Sequence, residues 1–374
     1  MIYFDWTATT KPLKEILDIY HKVQSEYWYN PSSPYTLGLK ASNLLDNSIN
    51  VVKETLNLKN HNVIFTSGAT EGNNLAIYGI ANNFLNTNKK IITTRIEHPS
   101  VLKPFQDLET KGFEVVYLDV DSNGTINLKQ LETELNSETI LVSIMWVNNI
   151  VGAIEPIKEV INLVKKCPRC KLHVDATQGI GKIKPNFDFN EIDLVTMSSH
   201  KIEGIKGTGI LLSKTNLNIN PLLNGSGQQL GIKPGTIDLA GAVTSAKALK
   251  LAIQNQKEHF EFVLELQKYL LNKLNTIEGI YINNPINNQS PFINNISIVE
   301  HNSETVMHYL ESKDIFVAIG SACNSKTKKP EKTVFSITND ELRATTSIRI
   351  SLSYHNTKEE IDLLINALKS YLNK

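Results

Sequence analysis

Cysteine is scarce in this sequence, and its scarcity limits the chemistry that the chain can perform. Only three cysteines occur among 374 residues, a small and odd number that argues against a framework of disulfide bonds. Two of them form Cys167-Pro168-Arg169-Cys170. No second pair exists to complete a zinc site, so we expect no metal centre and an ordinary loop here, with a redox pair as the alternative. Cys323 remains as the candidate for thiol chemistry.

An excess of charge of either sign is also missing. The 38 lysines and arginines balance 38 acidic residues, which gives a sequence pI of about 7.1. The chain therefore lacks the positive surface expected of a protein that binds nucleic acid or an anionic membrane. The sequence has no apolar run long enough to span a bilayer, and Met1-Ile2-Tyr3-Phe4-Asp5-Trp6 does not resemble a signal peptide. We expect a cytoplasmic protein with no membrane or direct nucleic-acid partner.

Apolar residues are abundant enough for a large core, at 41% of the chain. Short apolar runs, such as Glu114 to Leu118, alternate with amphipathic helices up to Leu212, which is typical of an α/β fold with a mainly parallel sheet covered by helices. After a long helical stretch from Leu239 to about Ile277, strands and helices are mixed, and Lys358 to Leu372 forms a closing helix. The sequence predicts a large domain over residues 13–260 and a smaller α+β domain made of residues 1–12 and 261–374.

Polar side chains follow two of the predicted strands. Asp175 comes directly after Leu172 to Val174, and Lys201 follows Leu194 to Met197 by a short polar segment. Because residues beyond the carboxyl ends of parallel strands line the ligand crevice, both side chains are expected at one site. A carboxylate that keeps a pyridine nitrogen charged and an amine that can bind an aldehyde are the two groups that pyridoxal phosphate most requires. A surface ion pair or a helix cap is the alternative for these two residues taken alone.

A segment rich in small residues lies between a predicted strand and a predicted helix. Val63 to Thr66 forms the strand, Ser67 to Asn74 the turn, and Leu75 to Phe84 the helix. Free backbone N–H groups and the positive end of a helix dipole favour an anion at such a turn. The alternative is a plain strand-to-helix connection with a threonine cap.

Eight short motifs occur in a fixed order along almost the whole chain. They are Tyr3-Phe4-Asp5-Trp6-Thr7-Ala8-Thr9-Thr10, Thr66-Ser67-Gly68-Ala69-Thr70-Glu71-Gly72-Asn73-Asn74-Leu75, Glu97-His98-Pro99-Ser100-Val101, Val147-Asn148-Asn149, Val174-Asp175-Ala176-Thr177-Gln178, Ser198-Ser199-His200-Lys201, Gly320-Ser321-Ala322-Cys323 and Ser347-Ile348-Arg349. Together they resemble the cysteine desulfurases of the nitrogen-fixation and iron-sulfur cluster type, in the class-V aminotransferase family. The resemblance implies a fold type I pyridoxal phosphate transferase that forms a homodimer.

The resemblance also assigns roles to individual residues. Lys201 would bind the cofactor covalently, Asp175 would pair with the pyridine nitrogen, and His98 would stack on the ring and move protons, a helix cap before Pro99 being its alternative. Gln178 and Asn148 would bond the phenolic oxygen of the cofactor and the substrate side of the site. The phosphate would be held by Ala69, Thr70, Ser198, His200 and Thr236, the last reaching across the subunit interface. Arg349 would hold the substrate carboxylate with a bidentate fork, assisted by Asn30 and Asn148.

Cys323 has two interpretations. A single cysteine in a small-residue loop is usually a buried apolar residue, but the basic run Lys326 to Lys332 that follows is unusual beside a core position. The resemblance implies a nucleophile on an extended mobile loop, and cationic neighbours would favour its thiolate. The implied reaction converts L-cysteine to L-alanine and leaves a persulfide on Cys323. A sulfur acceptor, either an iron-sulfur scaffold or a tRNA thiolation enzyme, is then expected.

The chain departs from the usual pattern of that family near the expected site. Trp6 and Thr7 stand where the family usually has Asn and Ala, and Ile150 stands where Glu is usual. Gln228-Gln229 replaces His-Glu, and Lys233-Pro234 replaces Arg-Ser. A selenocysteine lyase or an aminotransferase of the same fold is the alternative, since neither would need Cys323. A further alternative is a binding protein that has lost catalysis.

Overall fold

A seven-stranded sheet forms the centre of the computed structural model, which describes residues 1–85, 89–320 and 330–373. The strands in the described ranges are β1 (Ile2–Tyr3), β2 (His61–Thr66), β3 (Lys90–Thr94), β4 (Glu114–Leu118), β5 (Thr139–Met145), β6 (Lys171–Asp175), β7 (Leu194–Ser198), β8 (Gly209–Lys214), β9 (Ile280–Ile282), β10 (Ile293–Ile298), β11 (Ile315–Phe316), β12 (Ala318–Ile319) and β13 (Ser347–Ser351). The α-helices are α1 (Lys14–Glu26), α2 (Thr36–Thr55), α3 (Ala69–Ala81), α4 (Pro99–Thr110), α5 (Leu128–Glu134), α6 (Ile157–Val164), α7 (Leu239–Leu274), α8 (Ser303–Glu311), α9 (Lys332–Thr338), α10 (Glu341–Thr345) and α11 (Lys358–Leu372).

The central sheet is mainly parallel. Its strand order is β2-β8-β7-β6-β5-β3-β4, and only β8 runs antiparallel to its two neighbours. Successive residues of one strand belong to different cores: Ile91 packs with Phe105 of α4, whereas Ile92 packs with Ile157 of α6. Because both faces are covered, the strands are apolar throughout rather than alternating. The predicted α/β class is confirmed.

A second, smaller sheet carries part of the site. It is antiparallel, with the order β12-β13-β10-β9, and it holds Arg349 opposite Asn295. The amino-terminal strand β1 pairs in parallel with β11, and the backbone of Phe4 accepts a hydrogen bond from Ser351 of β13. The first residues of the chain are thereby fixed beside the smaller sheet.

The long helix α7 contacts α1 and α2 and runs through residue 260. The domain boundary that the sequence predicts there therefore falls inside a continuous helix, and the division into residues 13–260, 1–12 and 261–374 stays a prediction. Within the described ranges, no helix combines the length and apolar character needed to cross a lipid bilayer.

Helix α3 begins earlier than the sequence predicts, at Ala69 instead of Leu75. The small residues that suggest a turn serve close packing instead: a Cβ at Gly72 would lie 2.7 Å from the Cγ2 of Thr196 in β7. Tertiary contact thus outweighs the low helix propensity of glycine and asparagine. As a consequence, the turn after β2 consists of little more than Ser67 and Gly68, and the helix amino terminus lies next to the strand ends.

Glu155 gives the fold a pH-dependent stability. Its carboxyl group is buried between β5 and α6, where Oε2 accepts a hydrogen bond from Ile126 N at 3.0 Å and Oε1 has no partner among the described residues. Burial raises the pKa of Glu155 to about 8, and Asp121 adds to the shift. Because the folded protein holds this proton more tightly than the unfolded chain does, the stability is fully present below about pH 4.5 and is lost as the pH rises towards 8.

We expect Glu155→Gln to stabilise the protein in a pH-dependent way, since the amide keeps an acceptor for Ile126 and cannot ionise. The free energy of unfolding in urea should rise by about 2–4 kcal/mol at pH 8 and by less than about 1 kcal/mol at pH 5. Glu159→Gln, at an exposed position of α6, is the matched control. An equal change at both pH values would contradict the role of ionisation.

Candidate active site

A cavity of about 600 Å³ opens at the carboxyl ends of β6 and β7. Its walls come from the amino-terminal residues 7–9, the turn after β2, the start of α4, the ends of the two strands and Arg349 of the smaller sheet. This volume is within the range of pockets that enclose a cofactor with a small substrate. Residues distant in sequence therefore meet at the edge of the sheet where ligands bind in open α/β folds.

One end of the cavity is built to hold an anion. Helix α3 starts there directly after Gly68, whose φ of 144° is a conformation that favours glycine. A Cβ at Gly209 would lie only 2.7 Å from the Cα of Gly68, so the two backbones need this close approach. The first amides of α3, at Ala69 and Thr70, have no partners within the helix and lie at the positive end of its dipole.

Further donors surround this end. Thr70, Ser198 and His200 line the cavity as predicted, and Lys206 adds a positive charge. The pKa of His200 is lowered to about 4, first by burial and then by Lys201, so its imidazole is neutral at physiological pH. Lys206 was not singled out from the sequence. Its position five residues after Lys201, before a glycine, is a weak signal without the structure.

The carboxylate of Asp175 is held by two hydrogen bonds at the end of β6. Its Oδ1 accepts from the backbone N of Thr177 at 3.0 Å, and its Oδ2 accepts from Asn73 Nδ2 at 2.8 Å. Both donors fix the orientation of the carboxylate, which is only 7% exposed. Asn73 belongs to α3, and the sequence analysis did not assign it a role.

Asn73 also determines the state of His98. Its amide donates to Ser100 Oγ at 2.8 Å, and Ser100 Oγ lies 2.7 Å from His98 Nδ1. The backbone N of Ser100 donates to the same Nδ1, so this nitrogen is an acceptor and the neutral ring carries its proton on Nε2. Desolvation lowers the pKa of His98, which keeps the ring neutral, although Asp175 opposes the shift.

His98 therefore combines the two alternatives that the sequence left open. It is the amino-terminal cap of α4, because its side chain accepts the Ser100 N–H, and its ring also lines the cavity. The capping bond fixes the orientation of the ring, and the cavity gives the ring access to a ligand.

The amine of Lys201 lies at the centre of the cavity wall. Its Nζ donates to the backbone carbonyls of Thr7 and Ala8, each at 2.6 Å. Burial lowers the pKa of Lys201 to about 8, and the nearby Arg349 contributes to the shift. About a tenth of the amine is then neutral at pH 7, far more than for a lysine in water. Lys201 can therefore act as a nucleophile towards an aldehyde.

Arg349 presents its guanidinium group at the opposite wall. Its Nη2 forms a salt bridge with Asp5 Oδ1 at 2.8 Å, and its Nη1 donates to the carbonyl of Asn149 at 3.0 Å. The buried Nε has no hydrogen-bond partner among the described residues. Asp5 and Asn149 thus hold the side chain in place where Arg349 lines the cavity and can meet an incoming anion.

Three predicted site residues do not line this cavity. Asn148 is buried behind the cavity wall, where its Nδ2 donates to Ile96 O and its Oδ1 accepts from the backbone N of Ile150 and Val151. Its amide also donates to Met145 Sδ at 3.4 Å, and the neighbouring Asn149 lines the cavity instead. The role of Asn148 as a ligand stays a prediction.

Asn30 and Thr236 are both away from the cavity of their own chain. The Oδ1 of Asn30 accepts from the backbone N of Ser32, and Asn30 does not line the cavity. Thr236 is exposed and borders a separate cavity of about 210 Å³, beside Lys233. Its predicted contact with a second subunit stays a prediction. Cys323 lies outside the described residues.

Two of the departures from the family pattern have structural explanations. Gln229 pairs with the backbone of edge strand β2, accepting from Phe65 N at 2.7 Å and donating to Phe65 O at 3.1 Å, so it covers an otherwise open strand edge. Trp6 stacks on His355 with ring centroids 5.2 Å apart, next to the cavity wall. Neither Gln229 nor Trp6 displaces one of the side chains that line the cavity.

The donor set of the cavity fits one kind of ligand. The amide-rich end suits a phosphate, the Asp175 carboxylate suits a protonated ring nitrogen, the His98 ring suits a flat aromatic face, and the Lys201 amine suits an aldehyde. Pyridoxal phosphate carries all four features.

Comparison with known proteins gives the same answer. Residues 2–364 match the model of the aminotransferase class-V family. A NifS/IcsS protein homolog of Lactobacillus delbrueckii subsp. bulgaricus is 38% identical over 373 residues, which cover 98% of this chain and 96% of the relative. The cysteine desulfurase IscS of Dictyoglomus turgidum is 34% identical over 374 residues, covering 100% of this chain and 95% of the relative.

The fold agrees equally well with a solved structure. A NifS-like protein superimposes with a TM-score of 0.92 at 32% sequence identity, over 100% of this chain and 99% of that chain. The resemblance inferred from the sequence motifs is confirmed: the chain belongs to the aminotransferase class-V family of pyridoxal phosphate enzymes and, within it, to the group of cysteine desulfurases and NifS-like proteins.

Proposed function

We propose that this protein is a pyridoxal phosphate-dependent cysteine desulfurase that converts L-cysteine to L-alanine and retains the sulfur as a persulfide on Cys323. The observation that carries the proposal is the meeting, in one cavity, of a lysine with a lowered pKa and an aspartate held by two donors. The full-length likeness to a relative named cysteine desulfurase supports the choice of reaction.

The residues of the cavity divide the work of holding the cofactor. The amides of Ala69 and Thr70, with Ser198 and His200, would bind the phosphate, and Asp175 would keep the pyridine nitrogen protonated. When bound, pyridoxal phosphate supplies an electron sink that weakens the bonds at the substrate α-carbon. Thr236 of a second copy would complete the phosphate site in a homodimer.

The remaining side chains act on the substrate. Arg349 would bind the α-carboxylate with a bidentate fork, which fixes the orientation of the amino acid. Lys201, partly neutral near pH 7, can accept the α-proton, and His98, with its proton on Nε2, can donate at that atom. Residues 7–9 form one wall of the cavity beside these groups.

The sulfur step balances without an added oxidant or reductant. The Cys323 thiolate attacks the sulfur of bound cysteine, the carbon–sulfur bond breaks, and a new sulfur–sulfur bond forms. The bonding electron pair stays with the β-carbon, which takes up a proton that His98 Nε2 can donate, and alanine results. An acceptor, such as an iron-sulfur scaffold or a tRNA thiolation enzyme, would then take the terminal sulfur from Cys323.

Replacement of Lys201 tests the cofactor site. Lys201→Ala should bind no pyridoxal phosphate covalently, because no other lysine that lines the described cavity lies at the end of β7 beside Asp175. Lys201→Arg, which keeps the charge, should fail in the same way. The measurement is borohydride reduction followed by mass spectrometry of the modified peptide. A reducible adduct on a different lysine would show that the assignment is wrong.

Arg349→Lys should raise the KM for L-cysteine by about tenfold to a hundredfold, because a lysine cannot reproduce the fork. The dissociation constant of the cofactor should change by less than about threefold. Arg343→Lys is the control, since Arg343 binds Asn283 in the smaller sheet and does not line the cavity. Parallel losses of cofactor and substrate affinity would indicate a structural role for Arg349.

Cys323→Ser decides between desulfuration and the other reactions of this cofactor. The variant should bind pyridoxal phosphate and L-cysteine normally, yet lose about a hundredfold or more of its alanine production, because a serine hydroxyl is not ionised near neutral pH. Cys167→Ser and Cys170→Ser are matched controls. In the wild-type protein, cysteine should add one reducible sulfur to the peptide that carries Cys323. Near wild-type alanine production by Cys323→Ser would favour a selenocysteine lyase or an aminotransferase.

A further inference from the structure

Lys182 is a second lysine beside the cavity, and none of the roles above uses it. It follows Gln178 by four residues, and its Nζ donates to Gln178 Oε1 at 3.1 Å. Among the described residues Lys182 forms no salt bridge, so a structural ion pair does not explain its position. Partial burial of a lysine without a carboxylate partner lowers the stability of the fold, which indicates a functional role for its contact with Gln178.

Gln178 connects Lys182 to the catalytic lysine. Its Nε2 donates to the carbonyl of Thr7 at 3.1 Å, and the same carbonyl accepts from Lys201 Nζ at 2.6 Å. Gln178 is itself only 6% exposed and lines the cavity. One polar network therefore runs from Lys182 through the Gln178 amide to the carbonyl that holds Lys201.

Lys182 can control the orientation of the Gln178 amide because one end of the amide is an oxygen acceptor and the other is a nitrogen donor. A protonated lysine can only donate hydrogen bonds, so the side of Gln178 that faces Lys182 must be the oxygen. The amide nitrogen must then face Thr7 and the cavity. One of its two N–H groups is used by Thr7, and the other remains for a ligand.

The surroundings of Lys182 suit this role. A small cavity of about 50 Å³ borders both Lys182 and Lys201 and is also lined by Phe292, whose ring centroid lies 6.0 Å from Lys182 Nζ. Burial lowers the pKa of Lys182 to about 7, and the charge of Lys201 adds to this shift, while Glu203 opposes it. The charge on Lys182 thus depends on the charge on Lys201, and Lys182 becomes a better cation once Lys201 is neutral.

We propose that Lys182 is a positioning residue: it holds the Gln178 amide with its nitrogen towards the cavity, so that Gln178 can make the contact with the phenolic oxygen of the cofactor that the family resemblance implies. The inference rests on the proposed function, because it concerns the same ligand. The donor would favour the ionised form of that oxygen, which lies next to the aldehyde that Lys201 binds.

The test measures cofactor binding in addition to catalysis. Lys182→Met, similar in length but unable to donate, should raise the dissociation constant of pyridoxal phosphate about tenfold, which corresponds to about 1.4 kcal/mol. It should also shift the pH midpoint of the visible absorption of the bound cofactor. Lys182→Arg keeps a donor and should restore both values to within about threefold of wild type. Lys184→Met, at an exposed position two residues later, is the control.

A double-mutant cycle separates positioning from general stability. Gln178→Leu should weaken cofactor binding, and the addition of Lys182→Met to Gln178→Leu should change it by less than about twofold. If the two substitutions act independently, so that their fold-changes in the dissociation constant multiply in the double variant, the inference is wrong. Lys182→Gln, polar but too short to reach Gln178, should show the same loss and replaces Lys182→Met if that variant fails to fold.

The outcomes also distinguish this inference from the proposed function. A wild-type protein that binds no pyridoxal phosphate refutes both. A wild-type protein that binds it, together with a Lys182→Met variant that binds it equally well and with an unchanged pH midpoint, refutes the role of Lys182 alone.

Discussion

The hydrogen bonds of one buried amide, that of Asn73, hold the candidate active site together. The nitrogen of this side chain donates both to Asp175 at the end of β6 and to Ser100 at the start of α4. Asn73 can reach them only because α3 packs tightly on β7 through Gly72. The same packing places the amino terminus of α3 at the anion end. A single helix position thus fixes the anion site, the carboxylate and, through Ser100, the tautomer of His98.

The second organising constraint is the concentration of positive charge around the amine of Lys201. Burial and then Arg349 lower the pKa of Lys201, while Asp5 and Asp175 oppose the shift. Asp5 also forms a salt bridge with Arg349. Two carboxylates thus limit the effect that burial and a neighbouring cation have on the amine.

Local sequence patterns predict the α/β fold and the polar residues at the carboxyl ends of the strands. The strand Glu114–Leu118 and the helix Lys358–Leu372 have the predicted bounds, and Asp175 and Lys201 meet as the parallel-sheet argument requires. The contacts of Asn73 with Asp175 could not be predicted in this way, because they join residues 102 positions apart. The sequence also could not show that Asn149, and not Asn148, lines the cavity. Which of two adjacent asparagines faces a cavity depends on the direction of the backbone.

The attachment of the amino terminus also affects how the protein is made. The carbonyls of residues 7 and 8 that hold Lys201 are fixed by contacts of Phe4 and Thr7 with Ser351, almost a full chain length away. During synthesis, residues 4–8 must therefore wait for Ser351 before this wall of the cavity can form. Folding of the central sheet can precede this event, so assembly of the active site is expected to be a late step.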